Sequence, residues 1–299
     1  MVVSSETIFG LGILGIFAGL LGALVGIGGG VVLIPALVLI FGINIKIAVA
    51  ASLVAVVATS TAAGSVYVGK GLSNMRLGMT LEIATTLGGL TGGLLAALVP
   101  SNVLAKLFAV MMIITAILML RSKDHGKSSP DEKKADLASP EPESSGANHS
   151  QLIGHEEPGR LTGSFYDVFE KKMIYYEAVR VYFGASISYI AGVLSGLLGV
   201  GGGFIKVPAM NLGMKVPLKV AAATSNFMIG VTAISSLFVY FARGFVHPWI
   251  AAPSAIGIVI GALLGTKLAG HTSNKLLKII LAVVLVAVSI QMFFKSNGV

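Results

Sequence analysis

The sequence predicts an all-α, polytopic membrane protein made of two inverted repeats of about five hydrophobic segments each, with broken or re-entrant helices at glycine-rich motifs. Three observations support this prediction. Of the 299 residues, 55% are hydrophobic and 11% are charged, whereas a soluble domain carries about 25% charged residues. Apolar stretches long enough to cross a bilayer recur along the chain. The second half also repeats the first at a constant offset of 173 residues.

The first repeat is expected over residues 7–120. Residues 7–45 carry no charge, and one helix of that length would measure about 58 Å, twice a hydrocarbon core of about 30 Å. We therefore expect a break at the glycine run 26–30, which leaves 30–43 short for a full span. Further segments follow at 47–69, 77–99 and 102–120. Since no Lys or Arg precedes Lys46, we do not expect a cleaved signal peptide.

Residues 121–176 are predicted to be a polar, largely disordered cytoplasmic linker. They are rich in Ser, Pro, Glu and Lys, and all acidic residues except Glu6 and Glu82 lie between 121 and 177. The end of the linker, SFYDVFEKKMIYYEAVRVYF, mixes aromatic and charged residues. One interpretation of this stretch is an interfacial helix that leads into the membrane.

The second repeat is expected over residues 177–295, with segments at 178–198, 203–214, 218–242, 248–268 and 274–294. The glycine run 26–30 recurs at 199–203, and Thr59 corresponds to Thr232. An odd number of crossings per repeat places 7 basic loop residues on the linker side and 3 opposite, whereas an even number gives 4 and 6. The positive-inside rule therefore favours inverted repeats, with the linker in the cytoplasm and both termini outside.

Charge and composition limit the classes of function that the chain can have. Outside residues 121–177 the chain keeps 13 of its 21 basic residues but only 2 of its 13 acidic ones. This balance favours anions as solutes, although the positive-inside rule alone would also place Lys and Arg in the loops. There is no Cys, and the five His residues have no metal-ligand spacing. We expect no catalytic residues, metal or cofactor, and no enzyme activity or nucleic-acid binding; the partners are the lipid bilayer and a small anion, with a homo-oligomer left open.

The glycine runs are the first candidate binding elements. In inverted-repeat transporters, interrupted segments at matching positions indicate the substrate site. A helix that begins at a glycine run presents free N–H groups and a positive dipole end to an anion. Pro35 and Pro208 interrupt the same segments further. The alternative is that glycines serve close helix packing, as expected for other small-residue pairs. The candidates are Gly28, Gly29, Gly30, Gly201, Gly202 and Gly203.

Polar side chains supply the remaining candidates. Ser52, Thr224, Ser225 and Asn226 could bind an oxyanion or instead bond neighbouring helices. Lys206 follows the second glycine run, and a cation inside the membrane is either functional or snorkels to the surface. Glu82 is the one acidic residue well inside a segment and is a candidate coupling group or a partner for a Lys.

The motifs GIGGGVVLIPAL at 26–37 and GVGGGFIKVPAM at 199–210, with AASL at 50–53 and ATSN at 223–226, resemble the TauE/SafE sulfite exporter family. The resemblance covers residues 8–120 and 178–294. It implies an inner-membrane secondary carrier of sulfite, sulfonates or related anions. It also implies roles for residues 28–30 and 201–203, for Pro35 and Pro208, and for Ser52, Ser225 and Asn226.

The sequence therefore predicts a secondary transporter, an exporter of a small sulfur-containing anion such as sulfite or an organosulfonate, that works by alternating access. Three alternatives remain at this point. The first is an anion channel, which would use the same dipoles without two exclusive states. The second is a carrier of another small organic anion. The third is a membrane-embedded regulatory protein that docks through the linker.

Overall fold

The computed structural model describes residues 5–25, 29–69, 73–121, 161–167, 172–268 and 274–296. Within them, the first repeat forms five helices: α1 Ser5–Val25, α2 Gly30–Leu39, α3 Ile45–Gly69, α4 Met75–Leu98 and α5 Ser101–Arg121. Two strands follow, β1 Thr162–Asp167 and β2 Lys172–Glu177. The second repeat forms α6 Val181–Leu198, α7 Gly203–Pro208 with a π-helical turn Ala209–Gly213, α8 Leu218–Ala242, α9 Pro248–Leu268 and α10 Asn274–Ser296.

The helices have the length and surface of membrane spans. Five of those described are long and apolar enough to cross a bilayer, and four shorter apolar helices accompany them. Large side chains such as Phe9, Phe238 and Trp249 face outward and are about 70% exposed. An aqueous surface would not carry such groups in number, but lipid accommodates them. The predicted all-α polytopic membrane fold is confirmed.

Glycines let helices of the two repeats pack backbone to backbone. A Cβ added to Gly257 would lie 3.0 Å from the Gly12 carbonyl carbon, and one added to Gly261 would lie 2.8 Å from that of Ile16, so α1 and α9 pack in parallel. On the other side, a Cβ on Gly88 would lie 3.1 Å from the Gly192 Cα atom, where α4 meets α6. These glycines therefore serve packing, the interpretation that the sequence favours for small-residue pairs.

The packing directions establish the inversion. Helix α4 runs parallel to α8, because Gly78 lies beside Thr224 and Gly93 beside Val239. Helix α9 turns back after α8 through a short connection in which Gly244 has a left-handed backbone. Helix α6 runs parallel to α4, because Gly192 lies beside Thr85 and Gly196 beside Gly92. Since α1 is parallel to α9, the two matching first helices, α1 and α6, run in opposite directions. The two repeats are inverted, as predicted.

Each repeat contains one broken helix at its glycine run. Helix α2 has 10 residues and rises only about 15 Å, half a membrane span. Helix α7 has 6 residues and then widens into the π-helical turn. The run before α7 contains Gly199, Gly201 and Gly202 with φ of 68°, 78° and 71°. Residues with a side chain rarely adopt this left-handed backbone conformation, so these positions favour glycine.

A β-hairpin lies in place of the interfacial helix that the sequence suggested before the second repeat. Strands β1 and β2 pair antiparallel from Thr162–Glu177 to Asp167–Lys172. Along β2, Met173 and Tyr175 are exposed while Ile174 and Tyr176 pack on a buried cluster around Leu77, Met210 and Met214. This two-residue alternation of aromatic and branched side chains suits a strand. The rest of the predicted linker, residues 122–160 and 168–171, lies outside the described residues.

Asn74 joins the hairpin to the start of α4. Its Oδ1 atom accepts the Leu77 N–H at 2.9 Å and caps the helix, while its Nδ2 donates to the Tyr176 hydroxyl at 3.0 Å. We expect Asn74→Ala to lower the unfolding free energy by about 1–2 kcal/mol through loss of the cap. Tyr176→Phe removes the hydroxyl that Asn74 contacts but leaves the cap in place, and should cost about 1 kcal/mol or less. Thermal unfolding in detergent compares them, and equal losses would contradict the capping role.

Candidate functional site

A buried ion pair joins the two repeats inside the membrane. Lys206 on α7 belongs to the second repeat and Glu82 on α4 to the first, and their Nζ and Oε2 atoms are 3.9 Å apart. Their residues are only 1% and 4% exposed, respectively. Among the residues that the structure describes, they are the two fully buried charged side chains. Ionisable residues at such a place mark transport pathways by default.

Thr232 on α8 bridges the two charges. Its hydroxyl oxygen accepts a hydrogen bond from Lys206 Nζ at 2.8 Å and lies 2.8 Å from Glu82 Oε1. The same hydroxyl is 3.0 Å from the main-chain carbonyl of Met228, so its single proton serves one of these two acceptors at a time. Thr86 also donates to Glu82 Oε1, at 3.3 Å. Both of these contacts use the Oε1 atom of the carboxylate, and the Oε2 atom has no hydrogen-bond partner among the described residues.

The pair has spare hydrogen-bonding capacity. An ammonium group carries three donors, and in the described part of the chain the Lys206 ammonium has one hydrogen bond, to Thr232. At 3.9 Å the contact with Glu82 is an ion pair without a hydrogen bond. Glu82 Oε2 has no hydrogen-bond partner among the described residues. Buried charged groups normally have partners for their hydrogen-bond donors and acceptors. The unused donors of Lys206 can therefore bind the oxygen atoms of a ligand.

The architecture does not require charges at this place. The offset of 173 residues matches Lys206 with Leu33 and Glu82 with Ala255. Leu33 is fully buried in the apolar core, and Thr59, which matches Thr232, donates to the Val56 carbonyl of its own helix at 3.0 Å. The same fold thus has an apolar version of the cluster. The charged version is specific to one half, which indicates a function beyond packing.

The matched threonines provide a test of the bridge. We expect Thr232→Val to weaken ligand binding and transport by tenfold or more, because it removes the hydroxyl that bridges Lys206 and Glu82, and a hydrogen bond to a charged group is worth about 1.5–3 kcal/mol. Thr59→Val makes the same chemical change at a hydroxyl whose described hydrogen bond goes to a carbonyl of its own helix, and should leave transport within about twofold. Initial rates of anion uptake into proteoliposomes compare the two. Similar losses in both variants would assign Thr232 a purely structural role.

The two glycine motifs meet between the repeats. Ser52 Oγ on α3 donates to the Gly199 carbonyl at 2.8 Å, and both atoms lie against Gly30 at the start of α2. Val56 contacts Gly30 and also approaches Gly201. Ser52 is therefore committed to a contact between repeats. The sequence-predicted Gly28 lies outside the described residues.

The polar residues of α8 divide between two places. Ser225 Oγ is buried without a hydrogen-bond partner among the described residues, 3.4 Å from where a Cβ of Gly203 would lie. Ser225, Ile229 and Thr232 follow one another on the same face of α8, at i, i+4 and i+7. Thr224 instead accepts the Asn74 main-chain N–H at 3.0 Å.

The remaining predicted residues shape the backbone. Gly29 precedes α2 and contacts Ile258 and the Ala18 carbonyl, and Pro35 is buried inside α2. Gly202 precedes α7, and Pro208 ends it before the π-helical turn. The Asn226 main-chain carbonyl accepts a hydrogen bond from Ser60. The Gly202 carbonyl accepts the main-chain N–H of Lys206 at 3.2 Å, but none of these residues has a described contact with the Lys206 ammonium or the Glu82 carboxylate.

Sequence reasoning identified both charges but gave little weight to Thr232 and missed Thr85 and Thr86. Thr85 Oγ1 donates to the Glu82 main-chain carbonyl at 3.1 Å, and Thr86 binds the carboxylate itself. The available signal was that each charge stands alone in an apolar segment, which predicts a partner from another helix. In the described residues, His, Asp and Glu form no group that could hold a metal ion.

Comparisons with known proteins agree with this architecture. The family model described as "Sulfite exporter TauE/SafE" matches residues 11–292. A probable membrane transporter protein, YunE of Bacillus subtilis, is 27% identical over 293 residues, which cover 95% of this chain and 96% of that protein. A probable membrane transporter protein of Methanocaldococcus jannaschii is 30% identical over 288 residues, or 91% of this chain and 90% of its own. No solved structure matches.

Proposed function

The chain is a membrane transporter that belongs to the sulfite exporter TauE/SafE family, and from this premise we propose that it exports a small sulfur-containing anion, such as sulfite or a short organosulfonate. The family and the names of the relatives point to a transporter rather than an enzyme. The observation that carries the substrate class is the buried Lys206 ammonium with unused donors. A sulfur oxyanion offers several oxygen acceptors and a compact negative charge, which suits such a group.

Alternating access is the proposed mode of transport. Two closely packed helix pairs, α1 with α9 and α4 with α6, each contain one helix from each repeat. The central helices α3 and α8 form a third pair, and the broken helices α2 and α7 pack between it and the outer pairs. Broken helices at an inverted-repeat interface are where transporters of this architecture bind substrate. Rocking of the two helix pairs about the central helices would open the ion pair to one side and then the other.

The proposed orientation follows the basic residues. We place the chain in the cell's inner membrane with the linker in the cytoplasm and both termini outside, because this arrangement puts most loop Lys and Arg residues inside. In an inside-negative cell the potential drives an anion outward, by about 2.3 kcal/mol per charge for 100 mV. Export therefore needs no other energy source when the anion crosses alone.

Anion flux into proteoliposomes tests the proposal. Purified protein should take up sulfite and methanesulfonate with saturation, and unlabelled anion on the far side should accelerate exchange. Sulfate and acetate serve as comparison anions of different charge and shape. Saturable counterflow identifies a carrier, whereas flux that rises linearly and shows no counterflow identifies a channel and contradicts alternating access. Absence of flux with every sulfur anion would overturn the proposed substrate class.

Ligand-dependent stability gives a second readout for the same proposal. A ligand that binds only the folded protein at one hundred times its dissociation constant adds about 2.7 kcal/mol of stability. We expect the melting temperature to rise with sulfite or methanesulfonate and to rise less with acetate. A rise of equal size with every salt would indicate a general ionic effect and would count against a specific site.

A further inference from the structure

We propose that Glu82 is a proton-binding group that alternates with the substrate as the counter-ion of Lys206, so that each monovalent anion crosses together with one proton. This inference rests on the proposed function and specifies its coupling. In the state described here, Glu82 occupies the position of the anion: its Oε2 atom is the nearest negative charge to Lys206, at 3.9 Å. An incoming anion must share that ammonium with the carboxylate or replace it.

Among the described residues, Lys206 is the one charged side chain next to Glu82. Helices α6 and α8 pack along α4. The described face of α8 next to the carboxylate offers Met228 and Thr232, which carry no charge. On α6 the titratable Tyr189 meets Thr91, more than two turns beyond Glu82 on α4. The charged residues Arg76 and Lys219 lie toward the beginnings of α4 and α8, away from the pair.

Charge balance then requires a proton. With Lys206 and Glu82 both ionised, the buried cluster is neutral. A monovalent anion that joins them makes the cluster negative, and two anions compete for one ammonium in a medium that disfavours net charge. If Glu82 takes a proton from water on the open side, an O–H bond forms and the carboxylate becomes a neutral acid. Lys206 and the anion are then a balanced pair, and no bond of the anion changes.

The unused oxygen fits this role. Glu82 Oε1 is engaged by Thr232 and Thr86, whereas Oε2 has no hydrogen-bond partner among the described residues and faces the ammonium. Protonation at Oε2 converts a competing acceptor into a donor aimed at the same place. The bound anion would therefore receive hydrogen bonds from Lys206 Nζ and from the acid. When the anion leaves, the proton leaves, and the ion pair forms again.

This arrangement also keeps the charge of the carrier the same in both directions. The empty form moves with a neutral Lys206–Glu82 pair, and the loaded form moves with a neutral Lys206–anion pair and a neutral acid. Neither form carries a net buried charge across the membrane. Transport of a monovalent anion would therefore be electroneutral and insensitive to the membrane potential. Its direction would follow the sum of the anion and proton gradients, so export in this mode requires an outward anion gradient larger than any inward proton gradient.

Methanesulfonate is the probe for this inference, because its charge does not change over the working pH range. Proteoliposomes that contain a pH-sensitive dye report proton movement while labelled methanesulfonate reports anion movement. We expect one proton per anion and no effect of a membrane potential imposed with valinomycin and K⁺. Acidifying the entry side should raise the rate, by up to about tenfold per pH unit for one proton taken up.

Glu82→Gln tests the residue. The amide keeps the size of the side chain but cannot take up the proton, so the variant should bind methanesulfonate more tightly, lose the pH dependence, and move the anion without protons and in response to the imposed potential. The matched control is Glu6→Gln, which changes an exposed carboxylate at the start of α1 and should keep one proton per anion.

The outcomes separate the two proposals. Anion flux in the wild type without proton movement, or proton-coupled flux that persists in Glu82→Gln, would overturn the role of Glu82 while leaving anion transport established. Absence of sulfonate and sulfite flux in the wild type would overturn the proposed function itself. If Glu82→Gln does not fold, the proton-to-anion ratio of the wild type alone decides, since a ratio of zero contradicts the inference.

Discussion

Replacing Lys206 by methionine is expected to abolish anion transport and to lower the unfolding free energy by about 3–5 kcal/mol. The stability loss follows because the Glu82 carboxylate remains buried without its cation, and removing one partner of a buried ion pair has costs of this size. The transport loss follows because the ammonium is the donor proposed to bind the anion. Uptake of labelled anion and reversible unfolding in detergent measure the two effects separately.

The fold itself supplies the control for this prediction. The double variant Glu82→Ala, Lys206→Leu copies the residues at the matching positions, Ala255 and Leu33. Replacing a buried ion pair by apolar residues of similar volume is often neutral or stabilising. The double variant leaves no uncompensated charge but opens a small cavity at position 82, which has its own cost, so we expect it to recover part of the stability. It should still transport no anion. Recovered transport together with recovered stability would show that the pair only holds the helices together.

Gly30→Ala is expected to produce the second largest effect. The new Cβ would fall on Ser52 Oγ and lie 2.8 Å from the Gly199 carbonyl oxygen. A hydroxyl can rotate away, but the Gly199 carbonyl belongs to a left-handed backbone segment and cannot shift freely. Overpacking of this kind typically costs about 1–3 kcal/mol. Because the contact joins the two glycine motifs, we also expect transport to fall by tenfold or more.

Two further variants make this expectation specific. Gly12→Ala places a methyl group on α1 where nothing described lies within 4 Å of the new Cβ, and alanine should be neutral or slightly stabilising in a helix. Ser52→Ala combined with Gly30→Ala removes the hydroxyl but leaves the clash with Gly199. If the double variant regains full stability, the hydroxyl rather than the meeting of the glycine motifs is the constraint.

The general architecture could be predicted because its causes are local in sequence. A charge-free stretch of 39 residues cannot be one span, and the glycine run is the natural place for the break. The constant repeat offset identifies two copies of one unit, and the distribution of loop charges predicts that the copies are inverted in the membrane. The β-hairpin was not predicted, since its mixture of aromatic and charged residues also suits an interfacial helix. Its pairing and its contact with Leu77 and Met214 depend on tertiary structure.

The site was predictable in its components but not in its assembly. Glu82 and Lys206 were both identified because a charge inside an apolar membrane segment is energetically costly and therefore indicates a function. Their pairing requires α4 of the first repeat and α7 of the second to pack against the same helix, α8. The α4 glycines Gly78 and Gly93 lie at that contact, with residues of α8 about 150 positions later in the chain. The binding roles of Thr224 and Asn226 stay predictions. The Thr224 hydroxyl accepts the Asn74 main-chain N–H, and the described contact of Asn226 uses its main-chain carbonyl.

The most direct test of the central claim is the binding of methanesulfonate to purified wild type and to the Glu82→Ala, Lys206→Leu variant, measured by calorimetry at one pH. Charge-assisted hydrogen bonds are worth about 1.5–3 kcal/mol each, so the variant should bind at least about tenfold more weakly, and by on the order of 100-fold if the ammonium is the main donor. A folded variant that binds with the affinity of the wild type would show that the anion site lies elsewhere.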